Sequence, residues 1–312
     1  ALPNPAISIK EWMKLRATGK LERRNMKYGY LFITPIMLGF LLFMLAPIVA
    51  VLGLSLTDYS FMRPDTNFLG LGNYAKAFRA DPLLGETVWN TLLFSAGLIP
   101  LNLTLALGLA LLLNRRLPGI GLFRTAIFTP VVTSIVVWAI VWKYIFATDA
   151  GLVNQLLRGI GIAGPAWLYT EALAIPVVII VSVLKKVGMN MVIFLAALQD
   201  VPAMYYEAAR IDGASKWKQF RHITLPMITP SVFLTLIITL IGSLKVFSQI
   251  AVMTGGGPGT SSYVWVYYIY QLGFHRFEFG YASAVASLLF LLVLGLTLVQ
   301  WNMRKRWVYH EQ

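Results

Sequence analysis

Six apolar stretches, each long enough to cross a bilayer, constrain this chain more than any motif in it. They lie at residues 28–54, 89–113, 123–146, 172–198, 227–252 and 281–303. A helix rising about 1.5 Å per residue needs roughly 20 mostly apolar residues to traverse about 30 Å of hydrocarbon. With 58% hydrophobic and 12% charged residues, the composition is also far from that of a soluble domain. The predicted fold class is an all-α integral membrane protein with six transmembrane helices. Pro35, Pro47, Pro100, Pro130 and Pro176 fall inside these runs. They predict kinks or span ends, because neighbouring helices in a bundle can satisfy the backbone groups that proline frees.

Lys and Arg gather in residues 1–27, 114–124, 199–221 and 304–312, which leaves Arg63, Lys76, Arg79, Arg158 and Arg276 for the opposite side. Short cytoplasmic segments are enriched in these residues. Both termini and the segment 199–225 are therefore expected in the cytoplasm, which requires an even number of spans. Topology then accounts for the net charge of +13, and little is left for a nucleic-acid reading. Residues 1–27 carry Ile7, Ile9, Trp12, Met13 and Leu15 among basic side chains, without the apolar core of a secretory signal peptide. They read either as an interfacial helix on the inner leaflet or as a solvated basic segment. The loops at 55–88, 148–170 and 253–280 are too short to be domains. The expected organisation is one membrane domain over 28–303, with a basic segment before it and a basic tail, 304–312, after it.

The chain has no cysteine, and His222, His275 and His310 are scattered, so neither redox chemistry nor a metal centre is expected. The run Gly255 to Gly259, GGGPG, lacks the Lys and Ser/Thr of a phosphate-binding loop, and no GxxxxGK[ST] occurs anywhere. The chain is expected to bind no cofactor itself and not to be an enzyme.

The most distinctive polar interruption is EAARIDGASKWKQFRHITLPMITP, from Glu207 to Pro230. Ala203 to Ile211 predicts a short helix, and Asp212-Gly213 a turn. Ser215 can cap a second short helix through Thr224, with Pro226 opening the fifth span. The result is a compact knob. Tyr205, Tyr206, Trp217 and Phe220 give it contact area, and Ala208 and Ala209 allow close approach. It reads either as a docking surface or as an amphipathic pair of helices under the membrane.

In Glu207, Ala208 and Ala209, followed by Gly213 and then Ile223, Leu225 and Pro226, the chain resembles the permease subunits of binding-protein-dependent ABC importers. The fuller strings EAARIDGAS and FRHITLP are similar to the carbohydrate-uptake branch, of maltose and glycerol-phosphate type. Gly121 to Thr125 leading to Pro130, Thr254 to Pro258, and Gly280 to Ala284 extend the likeness along most of the chain. With Leu54 to Thr57 they resemble the F-type member of the maltose-permease pair. Ser248 departs from it, standing where Asp is common.

The resemblance implies the type I importer permease fold in a bacterial or archaeal cytoplasmic membrane. It implies a second permease subunit, an ATPase dimer that uses ATP and Mg, and an extracytoplasmic binding protein that delivers a sugar. By resemblance, Glu207, Ala208, Ala209, Asp212, Gly213, Leu225 and Pro226 couple the chain to the ATPase, Glu207 through a polar contact and Gly213 through the turn.

Polar residues within spans are costly and tend to face the bundle interior or a water-filled path. Lys185 and Lys186 lie near the middle of the fourth run; about 100° separates adjacent helical residues, so they do not share one narrow site. Lys186 and Asn190 share a face at i and i+4. Thr235, Thr239 and Ser243 recur every four residues in the fifth run, with Lys245 and Gln249 as a further i, i+4 pair. Lys186, Asn190, Thr239, Ser243, Lys245 and Gln249 are the candidate pathway residues. For the hydroxyls the competing reading is bonding to their own helix, and for Lys245 it is snorkelling outward. A path-facing Lys186 would favour an anionic solute such as a glycerol phosphate or acidic sugar over a neutral oligosaccharide. The small residues Gly280, Ala282, Ser283, Ala284, Ala286 and Ser287 predict a close packing surface. Two other classes stay open: a secondary transporter, which would need no docking knob, and a membrane scaffold, which would need no polar faces in its spans.

Overall fold

The structure is a computed structural model that describes Met26, residues 28–115 and residues 118–307. The basic segment 1–27 apart from Met26, Arg116 and Leu117, and the end of the tail beyond Trp307 lie outside the described residues. Among the described residues the chain is helical, with a lone antiparallel bridge between Thr57 and Phe68.

The chain divides into two units, Ala1–Leu54 and Ser55–Gln312. The first is described by a single helix, α1 (Tyr28–Leu54), whose best window has a mean hydropathy of 2.6 and no buried residue. A helix apolar all round suits lipid. It takes one π turn at Leu41–Leu45, where the Ala46 N–H bonds to the Leu41 carbonyl. That widening lies just before Pro47, whose missing N–H and bulky ring would otherwise break the ladder.

The second unit comprises α2 (Gly72–Arg79), α3 (Pro82–Leu113), α4 (Ile120–Val132), α5 (Ile135–Ile145), α6 (Leu152–Gly159) and α7 (Glu171–Asp200). It continues with α8 (Ala203–Ile211), α9 (Lys216–Met227), α10 (Thr229–Leu244), α11 (Ser248–Met253), α12 (Trp265–Tyr270) and α13 (Phe279–Trp307). The central element is α7: 61% of its apolar window is buried, against 28% for α3 and 33% for α13. In lipid, close fit rather than exclusion of water drives helix association. Gly97 of α3 provides it, since a Cβ there would come within 2.7 Å of Ile179 Cδ1. Phe94, Leu98, Val178 and Val181 form one core around that contact, and Ala106, Ala110, Met191 and Phe194 form another further along the same pair.

Two predicted spans differ from a simple crossing. The third, expected over 123–146, is two helices, α4 and α5, meeting at 102°. Thr133 takes an extended backbone after Pro130, with its N–H bonded to the Pro130 carbonyl at 3.2 Å. The fifth, expected over 227–252, begins earlier: α9 runs through Pro226 to Met227 and meets α10 at 66°. Pro226 therefore does not open the span; that place falls to Pro230, in the first turn of α10, where no N–H is needed. Among the described residues four helices are long and apolar enough to cross a membrane, and up to six crossings result when each bent pair counts as one. The small-residue row at the start of α13 packs within the unit. Ala282 and Ala284 are buried, and a Cβ on Gly280 would collide with the Thr57 carbonyl.

Candidate functional site

The knob forms as its local chemistry predicts. Helix α8 ends in a Schellman motif, with the Ala214 N–H bonded to the Ala209 carbonyl at 2.8 Å and the Gly213 N–H to the Arg210 carbonyl at 3.1 Å. Gly213 holds φ at +71°, and a Cβ there would meet nothing within 4 Å. Conformation, not space, demands the glycine. Ser215 then caps α9, accepting from the Lys218 N–H at 3.4 Å, and the Gln219 amide donates to the Ala214 carbonyl at 2.8 Å. Instead of stopping at Thr224, α9 continues to Met227 through a π turn at Phe220–Thr224. Trp217 and Phe220 stack with centroids 5.6 Å apart.

Glu207, Ala208, Asp212 and Gly213 are exposed, Ala209 is half-buried, and Leu225 and Pro226 are half-buried near the bend into α10. Ile211 is 87% exposed and Trp217 67%. The structure thus brings the predicted coupling residues onto one small, internally fastened projection with open apolar tips.

The predicted pathway residues do not share one face. Asn190 of α7 donates to Asn102 Oδ1 at 2.5 Å and to Thr239 Oγ1 at 3.0 Å, and Asn102 in turn donates to the Val183 carbonyl at 3.3 Å. All three side chains are buried, so α3, α7 and α10 share a polar clasp. Asn102 was not among the sequence candidates, although a lone Asn in an apolar run was the signal for it. Thr235 and Ser243 bond carbonyls of their own helix, at 2.8 Å to Ser231 and 2.8 Å to Leu240. Lys245 and Gln249 do not share a helical face, because the chain leaves helix between α10 and α11. Gln249 is buried, 3.4 Å from Ser182 Oγ, whereas Lys245 is exposed.

The two adjacent lysines of α7 also part company. Lys186 is half-buried, and its Nζ lies 3.3 Å from the Gly242 carbonyl on α10. Lys185 is buried and donates to the Pro130, Val131 and Thr133 carbonyls, the last two at 3.3 and 2.5 Å.

At the opposite end of α3, Asp81 binds three elements together. Its carboxylate accepts from the Leu84 N–H at 3.2 Å, from the Tyr268 hydroxyl at 2.6 Å and from the Tyr281 hydroxyl at 2.5 Å. Burial pushes the Asp81 carboxyl up, but those donors outweigh it and hold the group below its ordinary value. Burial and the same carboxylate push the Tyr268 hydroxyl well above its ordinary value. Beside this cluster a cavity of about 260 Å³ is lined by Asp58, Arg63, Asn73, Lys76, Glu278 and Tyr281, among others. Asn67 donates twice to Asp58, and Lys76 pairs with Glu278 at 3.3 Å, so the cavity's charges are largely engaged by neighbours. No group of three potential metal ligands occurs among the described residues.

Residues 102–308 match the family model described as the binding-protein-dependent transport system inner membrane component. The chain is 36% identical over 286 residues to the trehalose/maltose transport system permease protein MalF of Thermococcus litoralis, covering 90% of this chain and 95% of that one. It is 37% identical over 295 residues to the lactose transport system permease protein LacF of Rhizobium radiobacter, covering 92% and 97%. In structure it is similar to a chain of a bacterial ABC transporter involved in the import of the acidic polysaccharide alginate. The TM-score is 0.80 and the identity 26%, with 93% of this chain and 99% of that one covered. That transporter is also known in complex with an alginate pentasaccharide-bound periplasmic protein.

Proposed function

Because the chain belongs to the family of binding-protein-dependent transport system inner membrane components, and is thus a multi-pass ABC permease subunit, we propose that it forms part of the path by which a sugar enters the cell. A second permease would complete the path, an extracytoplasmic binding protein would deliver the solute, and a separate ATPase pair would supply the energy with ATP and Mg. Both termini and the knob would then lie on the cytoplasmic side. The reading of the solute as a sugar is supported by relatives named for trehalose, maltose and lactose transport.

The observation that carries this reading is the knob. It is exposed and fastened by its own cap and turn, and its second helix, α9, is the first member of the bent α9–α10 pair. A rigid unit of that kind can pass ATPase closure into movement of the spans, as alternating access requires. Glu207 and Gly213 take the coupling roles, with Ala208, Ala209, Asp212, Leu225 and Pro226 shaping the contact.

A second reading, an anionic solute, has one observation in its favour. Lys186 keeps its ammonium beside a backbone carbonyl, whereas the ion pair found among the described residues, Lys76–Glu278, lies elsewhere. Co-expression with the neighbouring transport components tests the main reading. An ATPase pair is expected to co-purify with the chain, and solute uptake into liposomes is expected to require both ATP and the loaded binding protein. Uptake by this chain alone, driven by an ion gradient, would rule the reading out.

A further inference from the structure

A helix that ends inside a membrane leaves its last carbonyls without intrahelical partners, and water is not there to satisfy them. The end of α4, where the chain turns by 102° within what would be a single span, is such a place: of its last carbonyls, that of Pro130 accepts the Thr133 N–H at 3.2 Å, and this does not extend the helix. The carbonyl end of a helix also carries partial negative charge. Lys185, reaching across from α7, answers both needs at once: its ammonium donates to the Pro130, Val131 and Thr133 carbonyls. A lysine at mid-span is costly without compensation, and here the helix terminus supplies it.

Two further contacts from the same face of α7 support the bend on either side. One turn toward the cytoplasmic end of α7, Gly188 lets the α4 backbone approach so closely that a Cβ would collide with the Ile127 carbonyl. One turn the other way, the Val181 carbonyl accepts the Trp138 indole N–H of α5 at 3.0 Å. Positions 181, 185 and 188 thus grip α5, the bend and α4 in order.

We propose that Lys185 is a positioning residue: a fixed cation that splints the α4–α5 bend onto α7, so that the three move as one body during transport. It does not touch the solute, and its neighbour Lys186 is directed to α10 instead. The inference rests on the transport role proposed above, but the bend can be read without any solute.

The chain has no cysteine, so Phe123→Cys on α4 and Val141→Cys on α5, both at exposed positions, can carry spin labels in the assembled transporter. With Lys185 present the label-to-label distance is expected to be single and narrow. Lys185→Arg, which keeps a cationic donor, should retain that distance and most uptake. Lys185→Met should broaden or shift the distance and cut uptake by roughly tenfold or more, as bent and straightened forms mix. If Lys185→Met does not assemble, Lys185→Gln, which keeps donors but loses the charge, is expected to broaden the distance in its place. An unchanged distance in Lys185→Met or Lys185→Gln would overturn the splint. So would equal loss of uptake in Lys185→Arg with the distance intact, since the ammonium would then act on the solute. Failure of the unmodified complex to take up any solute would overturn the transport reading and leave the distance comparison standing.

Discussion

Tyr206 and Thr224 share a hydrogen bond of 2.9 Å that ties α8 to α9 across 18 residues of chain. Thr224 is buried, and the bond fixes the knob's two helices independently of the turn between them. Tyr206→Phe removes it at a cost of about 1 kcal/mol. Hydrogen exchange over residues 203–227 is expected to quicken in that variant while the spans keep their protection. Unaltered exchange in the knob would mean that the bond contributes nothing to its rigidity.

Gly213 offers a sharper separation of shape from space. Its φ of +71° is open to Asn but strained for β-branched residues, by about 1–2 kcal/mol, and a Cβ there would meet nothing within 4 Å. Gly213→Asn is expected to keep ATPase stimulation by the loaded binding protein. Gly213→Val should lose most of it while the complex still assembles. Equal behaviour of the two variants in a stimulated ATPase assay would show that the left-handed turn is not what coupling needs.

Asn102, Asn190 and Thr239 predict non-additive energetics. Asn190→Leu leaves Asn102 and Thr239 facing an apolar side chain, at about 1–3 kcal/mol. The double change Asn102→Leu with Asn190→Leu removes both members of the 2.5 Å contact and should cost less than the sum of the two single changes. Thermal unfolding of the purified complex measures the coupling; strict additivity would argue against a clasp.

The knob was legible in the sequence because everything that shapes it is local. Asp212-Gly213 and Ser215 specify a turn and a cap without reference to the rest of the chain. The bends were legible only in part. Pro130 marks a weak point, but the 102° angle also depends on Thr133, and on Lys185 and Trp138 meeting from distant parts of the chain. Pro226 misled because a π turn over Phe220–Thr224 lets α9 carry a proline that would ordinarily start a helix. Asn190 could be singled out as an intramembrane polar residue, yet its partner Asn102 lies 88 residues away, and periodicity within one helix cannot report that distance. The same blindness paired Lys245 with Gln249, which a break in the helix separates.

Asp81 should make the α3–α12–α13 junction insensitive to pH over the physiological range. Its folded pKa lies below the ordinary value near 3.8, so the stabilisation is complete above about pH 4 and is lost only as pH falls through the lowered folded value. Asp81→Asn is expected to lower the unfolding temperature at pH 7, by the equivalent of about 1 kcal/mol given the partial exposure of the site. The gap between variant and parent should begin to narrow only as the pH falls below about 4. A gap that instead closed on raising the pH would assign the effect to the tyrosine hydroxyls.

Lys186 discriminates between the two solute readings, because its charge matters only to a solute that carries the opposite one. With a neutral oligosaccharide, Lys186→Met removes a bond of 3.3 Å to the Gly242 carbonyl and should change uptake less than about threefold, in line with about 0.5 kcal/mol for a single half-buried contact. With an anionic solute, loss of the ammonium removes a charge-assisted partner worth about 1.5–3 kcal/mol, or roughly tenfold to a hundredfold in uptake. Lys186→Arg should preserve anion uptake, because the guanidinium keeps the charge and the donors. Parallel uptake assays with a neutral and an acidic sugar, each with its loaded binding protein, separate the cases. An equal, small effect of Lys186→Met on both would remove the ammonium from the solute's path.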